Sequence, residues 1–240
     1  NFARGARDLR LFEIGTSFRS AGKGEPPVEE NHLAAVVTGR REPPHWSMPD
    51  TVYGIWDLKA LAGDVAACGY RAQVRIEPAR EGLLDNFDPE ASFAILDVDG
   101  RPLGAAGRIR AGAVDAPVWA DDVFGMELTL PAEVPSPRTA RYQRLPAHPG
   151  VGRDLALLVP DAVPAAQVLE VIRIRGGDLL EGVSLFDHYR GEGVPQGLRS
   201  VAFNLRFRAP DRTLKDKEVD RALQGIVGRL KEELGVEPRG

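Results

Sequence analysis

The stretch that decides the fold of the C-terminal half runs from Leu179 to Pro210 and reads LLEGVSLFDHYRGEGVPQGLRSVAFNLRFRAP. A Gly- and Pro-rich segment, Gly191 to Gly197, separates two strand-like runs and predicts the turn of a hairpin. The second run, Arg199 to Arg208, alternates between apolar and mostly polar positions. The apolar positions are Val201, Phe203, Leu205 and Phe207; the intervening ones are Ser200, Ala202, Asn204, Arg206 and Arg208. Because side chains on a strand repeat with period two, this run predicts a half-buried strand with a polar, basic outer face.

The segments around this hairpin predict a complete βαββαβ order. In chain order they are a strand at Asp154 to Val159, a helix at Pro164 to Arg175, the two hairpin strands, a helix at Asp216 to Leu234 and a short last strand within Gly235 to Arg239. We expect Thr213 to cap the second helix, with Asp216 three residues later as in a capping box. This order is the ferredoxin-like split βαβ arrangement, in which helices cover one face of the sheet and leave the other open.

The first 140 residues predict a separate, strand-rich unit with one helix. We expect strands at Leu9 to Arg19 (bent at Gly15), His32 to Gly39, Gln73 to Ile76 and Val123 to Leu130, a hairpin turning at Asp99-Gly100, and a helix at Tyr53 to Gly69 with Gly69 as its C-terminal cap. The segment from Pro131 to Gly150 contains five prolines and predicts a linker. The sequence therefore predicts an α+β protein with domains at 1–140 and 141–240.

Composition limits the classes of function. The 240 residues are 43% hydrophobic, and Cys68 is the single cysteine, which excludes an intrachain disulfide framework. The use of a single cysteine also makes a reducing, cytoplasmic setting our expectation. No apolar run approaches the roughly 18 residues that cross a membrane. The first residue is Asn1, and we expect a processed or partial form of a longer chain. The histidines are scattered, and we find no catalytic constellation and no metal-ligand spacing.

Charge is distributed unevenly along the chain. The net charge is −4, but residues 141–240 carry +2 and residues 1–140 carry −6. Proteins that bind nucleic acid through bulk charge have a larger basic excess. If RNA binds the C-terminal part, a few placed contacts must therefore contribute more than overall charge.

The open face of the predicted sheet holds the candidate binding residues. Ser200 and Arg206 lie on it by the alternation of the third strand, but the pattern does not force the phase of the second strand. If Phe186 points toward the helices, Asp187, Tyr189 and Ser200 lie together on the open face. There a ring can stack on an RNA base, and a carboxylate and a hydroxyl can bind its polar edge. The alternative is structural: Tyr189 as a half-packed rim residue, Asp187 as a turn residue and Arg206 as a solvated charge.

Four motifs in this part resemble a known family. PGVGRDLAL (149–157), LFDHYRG (185–191), LRSVAF (198–203) and FRAPDRTLKD (207–216) resemble the ferredoxin-fold anticodon-binding domain of bacterial phenylalanyl-tRNA synthetase beta chains. NFARG (1–5), LRLFEIG (9–15) and WDLK (56–59) are similar to the catalytic-like module of the same chains. The resemblance is weaker between about residues 70 and 130, where FDPEA (87–91) stands in place of a His-Pro-Gly turn.

The resemblance implies both fold and function. Residues 1–140 would be part of a class II synthetase-like antiparallel sheet without a working active site, and 141–240 would bind the anticodon. Its anticodon-binding residues map onto Asp187, Tyr189 and Ser200, to which we add Arg199 and Arg206 as candidate nucleic-acid contacts. The implied enzyme is phenylalanine–tRNA ligase, in which two alpha and two beta chains assemble and bind tRNA-Phe. ATP and Mg²⁺ would serve the whole enzyme, with no cofactor held in this segment.

Two other functions remain open from the residues alone. One is a ferredoxin-like regulatory module that binds a small metabolite. The other is a free-standing single-stranded RNA-binding domain of the RNA-recognition-motif type, which shares the βαββαβ order. Against the latter, Phe203 and Phe207 are expected to face the core, so the third strand lacks aromatic residues on its open side.

Overall fold

The computed structural model describes residues 2–79, 85–117, 120–133, 135–136, 142 and 145–239. The chain divides into two compact units, Asn1–Ala140 (unit 1) and Arg141–Gly240 (unit 2). Much of the predicted linker, namely 134, 137–141 and 143–144, lies outside the described residues. No helix in the described part of the chain is long and apolar enough to span a membrane.

Unit 1 is a six-stranded antiparallel sheet with one helix. Its elements are β1 (Leu9–Arg19), β2 (Val28–Thr38), α1 (Ile55–Tyr70), β3 (Arg75–Pro78), β4 (Phe87–Leu96), β5 (Pro102–Ile109) and β6 (Val123–Thr129), preceded by a 3-10 turn at Phe2–Arg4. The strand order is β1-β2-β6-β5-β4-β3. The predicted hairpin at Asp99-Gly100 is present as the β4–β5 pair, because Gly100 supplies the positive φ that its turn needs.

Helix α1 covers one face of this sheet. Its apolar side places Leu58, Ala62 and Ala66 against Ile95 and Leu128, and all five side chains are at most 1% exposed. Burial of this kind stabilises the unit by about 25 cal/mol per Å² of apolar surface removed from water.

The two ends of α1 are stabilised differently. At its start, the backbone N–H of Gly54 donates to the Asp57 carboxylate at 2.9 Å. The predicted cap at Gly69 was wrong: the helix continues through Tyr70, and Arg71 adopts the left-handed conformation with φ of 50°. Packing along α1 thus overrides the local preference for glycine at its end.

Strand β1 is continuous, so the predicted bend at Gly15 was wrong. Eleven consecutive residues pair with β2, from Leu9 opposite Thr38 to Arg19 opposite Val28. An unbroken ladder satisfies the backbone polar groups on this side of the strand and leaves Gly15 in register. β1 is also the edge of the sheet, and ten of its eleven residues are exposed.

Unit 2 has the predicted ferredoxin-like fold. Its elements are β7 (Val151–Pro160), α2 (Ala165–Gly176), β8 (Leu180–Tyr189), β9 (Leu198–Phe207), α3 (Asp216–Leu234) and β10 (Glu237–Pro238), with a 3-10 turn at Gly177–Leu179. The strand order is β10-β7-β9-β8. Both helices pack on one face against the apolar positions of the alternation, and the fully buried residues include Phe203, Leu205, Phe207, Ile226 and Leu230.

Helix α3 has the predicted bounds but a different N-terminal cap. The predicted cap at Thr213 was wrong, because the helix is capped at Lys215, whose backbone N–H donates to Glu218 Oε2 at 3.0 Å. Arg212 donates to the other oxygen of Glu218 at 2.7 Å. These bonds, the Arg212 bond foremost, lower the pKa of Glu218. At the C-terminus Gly235, with φ of 63°, ends the helix as predicted.

Candidate nucleic-acid interface

The sheet of unit 2 has one face that its two helices do not cover, because α2 and α3 both pack on the other side. We call this surface the open face. Cross-strand neighbours share a face, so it consists of four rows read from β8 through β9 to β7. The rows are Tyr189-Ser200-Leu158, Asp187-Ala202-Ala156, Ser184-Asn204-Asp154 and Gly182-Arg206-Gly152. Six of these twelve residues are Gly, Ala or Ser, and every row carries at least one polar side chain.

A bulge at Phe186 sets the phase of β8. Leu185 lies opposite the buried Phe203, whereas Asp187 lies opposite Ala202, so Phe186 is the extra residue between two registers. Phe186 is 57% exposed and does not point into the core. We had expected Asp187, Tyr189 and Ser200 to share the open face only if Phe186 points toward the helices. That condition was wrong, because a bulge shifts the phase of a strand by one residue. The register nevertheless places Asp187 and Tyr189 on the same face as Ser200.

Tyr189 lies at the end of β8 and is 39% exposed. Its hydroxyl donates to the backbone oxygen of Glu192 at 3.3 Å, which ties the ring to the β8–β9 turn. The turn approaches the ring closely at Gly191, where a Cβ atom would lie 2.7 Å from the Tyr189 hydroxyl oxygen. The positive φ of Gly191, +149°, also favours glycine there. The turn therefore holds the ring while part of its surface stays accessible.

Arg239 completes this end of the open face, although no local pattern in the sequence predicted it there. Its Nη1 donates to Ser200 Oγ at 3.1 Å, and its guanidinium carbon lies 5.6 Å from the centroid of the Tyr189 ring. The signal that could have found it is topological, because the last strand of a ferredoxin-like sheet lies beside the first. β10 pairs with β7, which brings Arg239 next to the Tyr189 row.

Asp187 is exposed one row away from Tyr189. Its neighbours in that row are Ala202 and Ala156, whose side chains are single methyl groups. Its carboxylate can therefore accept hydrogen bonds from a ligand lying on the open face.

The two candidate arginines differ in placement. Arg206 lies on the open face with an exposed side chain, and its Nε is 2.8 Å from Glu181 Oε2. Arg199 lies on the other face, opposite the buried Val159, and is only 9% exposed. Its guanidinium donates to the backbone oxygens of Pro160, Asp161 and Val163. The structure thus separates Arg199 from the other candidates, because its donors are bonded inside the fold.

Among the residues that the structure describes, no group of three or more His, Cys, Asp or Glu residues is arranged to hold a metal ion. In unit 1 a shallow cavity of about 320 Å³ lies over β1 and β2. His32 lines it, with Nδ1 3.5 Å from Glu127 Oε1.

Comparison with protein families assigns both units. A model of the phenylalanyl tRNA synthetase beta chain CLM domain matches residues 1–130, which is more than half of the chain. The chain belongs to the phenylalanyl-tRNA synthetase beta chain family. A second model, the ferredoxin-fold anticodon binding domain, matches residues 146–239. The family resemblance and the α+β, ferredoxin-like fold predicted from the sequence are thereby confirmed.

Curated relatives from this family match the chain along its whole length. The phenylalanine–tRNA ligase beta subunit of Syntrophotalea carbinolica is 32% identical over 244 residues, which cover 100% of this chain and 30% of the relative. The subunit of Anaeromyxobacter dehalogenans is 36% identical over 239 residues, covering 97% of this chain and 29% of the relative. The subunit of Moorella thermoacetica is 35% identical over 242 residues, covering 100% and 29%. The chain thus spans about three-tenths of the length of these relatives.

Proposed function

We propose that this chain is part of the beta subunit of a phenylalanine–tRNA ligase, and that unit 2 binds the anticodon stem-loop of tRNA-Phe. One observation carries the proposal: the anticodon-binding family model covers residues 146–239, the same unit whose open face presents Tyr189 and Asp187. The chain's share of the aminoacylation reaction is then recognition of the tRNA.

The open face suits a single-stranded RNA loop. An anticodon base would stack on the accessible surface of the Tyr189 ring, which contributes about 1–3 kcal/mol per base. The Asp187 carboxylate would accept hydrogen bonds from the edge of that base. The small residues of the neighbouring rows, such as Ala156 and Ala202, would let the loop lie close to the sheet. Since unit 2 is only mildly basic, these placed contacts would contribute more than overall charge.

Unit 1 would help the subunit assemble with an alpha chain, in a complex of two alpha and two beta chains. Its edge strand β1 exposes the apolar side chains of Phe12, Ile14 and Phe18, which are 75%, 58% and 65% accessible. Exposed apolar side chains on one face of an edge strand are typical of a surface that packs against further protein. ATP and Mg²⁺ would be bound elsewhere in the whole enzyme, which would act in the cytoplasm.

The test is binding of RNA by the full-length subunit in its complex. Fluorescence anisotropy should show binding of a labelled hairpin with the phenylalanine anticodon loop, and weaker binding of a hairpin of the same length with a scrambled loop. Calorimetry with free phenylalanine on the wild-type and Tyr189→Ala complexes tests the regulatory-module alternative. Only a binding heat that is lost in Tyr189→Ala would favour that alternative, because phenylalanine bound as the substrate of the enzyme would give the same heat in both. Equal affinity for both hairpins would contradict anticodon binding.

The RNA-recognition-motif alternative is weakened by the core. In that type of domain, aromatic residues on the central strands stack on bases. Here Phe203 and Phe207 of β9 are 0% exposed and face the helices. They cannot reach an RNA without unfolding the unit.

A further inference from the structure

Ser200 is covered in the folded unit. Although it belongs to the open face, only 4% of its surface is accessible. Its Oγ accepts a hydrogen bond from Arg239 Nη1 at 3.1 Å. A base lying on Tyr189 therefore meets the guanidinium group of Arg239 before it can meet the Ser200 hydroxyl.

Arg239 also differs from neighbouring arginines in its charge balance. Arg206 and Arg208 both pair with Glu181, at 2.8 and 2.9 Å, and Arg190 pairs with Asp161 at 2.8 Å. Within the described residues, no ion pair joins Arg239 to a carboxylate. Its positive charge is thus available to an incoming anion, whereas the other three charges are offset by carboxylates.

The position of Arg239 is fixed before any ligand arrives. Its backbone N–H donates to the Ala156 oxygen at 2.8 Å, which extends the β10–β7 pairing by one bond. Its side chain is held between Ser200 Oγ and the Tyr189 ring. A guanidinium group has five N–H donors, so several remain after the bond to Ser200. Because the side chain is already ordered, binding through it costs little additional conformational entropy.

We propose that Arg239 makes the cationic contact to a backbone phosphate of the anticodon loop beside Tyr189, and that Ser200 is a positioning residue that holds Arg239 and does not touch the base. This inference rests on the proposed function and gives Ser200 an indirect role in place of the direct one predicted from the sequence. Arginine suits a phosphate because its planar fork donates two parallel hydrogen bonds. The nucleotide concerned is the one whose base stacks on Tyr189.

The experiment uses the full-length subunit in its complex and the labelled anticodon hairpin, titrated across a series of salt concentrations. Arg239→Ala should weaken binding about tenfold or more, the size of a lost charged hydrogen bond. It should also reduce the slope of log affinity against log salt by about 0.7 to 1, because one phosphate contact is lost. Arg239→Lys should keep most of the slope while weakening binding, since it retains the charge but not the fork.

Ser200→Ala separates positioning from contact. It should weaken binding in the wild-type background and have no further effect in the Arg239→Ala background. The matched control is Arg229→Ala, which removes one positive charge from an ion pair with Glu232 on α3, on the far side of the sheet. It should leave both affinity and slope unchanged.

Each outcome can be distinguished from a failure of the proposed function. If the wild-type complex does not bind the hairpin, the proposed function is wrong and this inference falls with it. If the wild type binds and Arg239→Ala keeps the wild-type slope, Arg239 makes no phosphate contact. If Ser200→Ala weakens binding equally in both backgrounds, Ser200 contacts the RNA directly. Thermal unfolding of each variant shows whether a loss of binding comes from a loss of fold.

Discussion

Replacing Tyr189 with alanine tests the stacking platform directly. The ring is 39% exposed and lies outside the buried core, so the variant should fold. Loss of one base–aromatic stack costs about 1–3 kcal/mol, which corresponds to a roughly five- to 150-fold weaker affinity for the anticodon hairpin. Tyr189→Phe keeps the ring and removes only the long hydrogen bond to Glu192, at 3.3 Å, so its affinity should match the wild type.

The assay is anisotropy with the labelled anticodon hairpin and the full-length subunit in its complex. The control is Ile174→Ala, which removes another exposed apolar side chain, 63% accessible, from α2 on the helix-covered side of the sheet. That variant should bind like the wild type. A folded Tyr189→Ala protein whose affinity lies within twofold of the wild type would refute stacking on Tyr189, since the lower bound of the effect is about fivefold.

Three further predictions concern the stability of the two units. The pKa of Glu218 is lowered in the folded protein, so the carboxylate stabilises the fold fully above the ordinary carboxyl pKa. This stabilisation is lost as the pH falls through the lowered pKa of the folded state. Glu218→Gln should therefore make stability depend less on pH on the acid side, measured by thermal unfolding between about pH 7 and 3. An unchanged acid profile would contradict this. Arg199→Ala removes the hydrogen bonds that this largely buried side chain donates to three backbone oxygens, so it should lower the free energy of unfolding by about 1–3 kcal/mol in urea. The salt slope of hairpin binding should not change, and a reduced slope would restore Arg199 as an RNA contact. Gly104→Ala in β5 places a Cβ against the backbone oxygen of Glu127, so it should destabilise unit 1 by about 1–3 kcal/mol; an unchanged unit 1 melting temperature would show that the sheet can shift.

Local patterns in the sequence predicted most elements of unit 2. The alternation of β9 and the helical spacing of α3 agree with the structure because each pattern reflects one buried face, whose apolar residues must recur at the period of the element. Errors occurred where backbone geometry depends on distant contacts. A bend was predicted at Gly15, but pairing with β2 keeps this residue in a regular strand. Thr213 was predicted to cap α3, but the capping hydrogen bond joins Lys215 and Glu218.

The candidate site shows the same division between local and long-range information. By itself, the sequence determined the fold class, the family resemblance and the presence of Asp187, Tyr189 and Ser200 near one hairpin. Only the tertiary structure decided how they are presented. The bulge at Phe186 is one extra residue, and its place depends on which residues of β9 lie opposite.

Burial and neighbours across the sheet were likewise decided only by the fold. Arg199 and Ser200 are adjacent in the chain, yet they lie on opposite faces of the strand. Arg199 donates to backbone oxygens on the helix-covered side, whereas Ser200 bonds Arg239 on the open face. Arg239 is 39 residues away from Ser200, so no local period relates them. Strand pairing between the ends of the unit brings them together, because a ferredoxin-like sheet places its last strand beside its first.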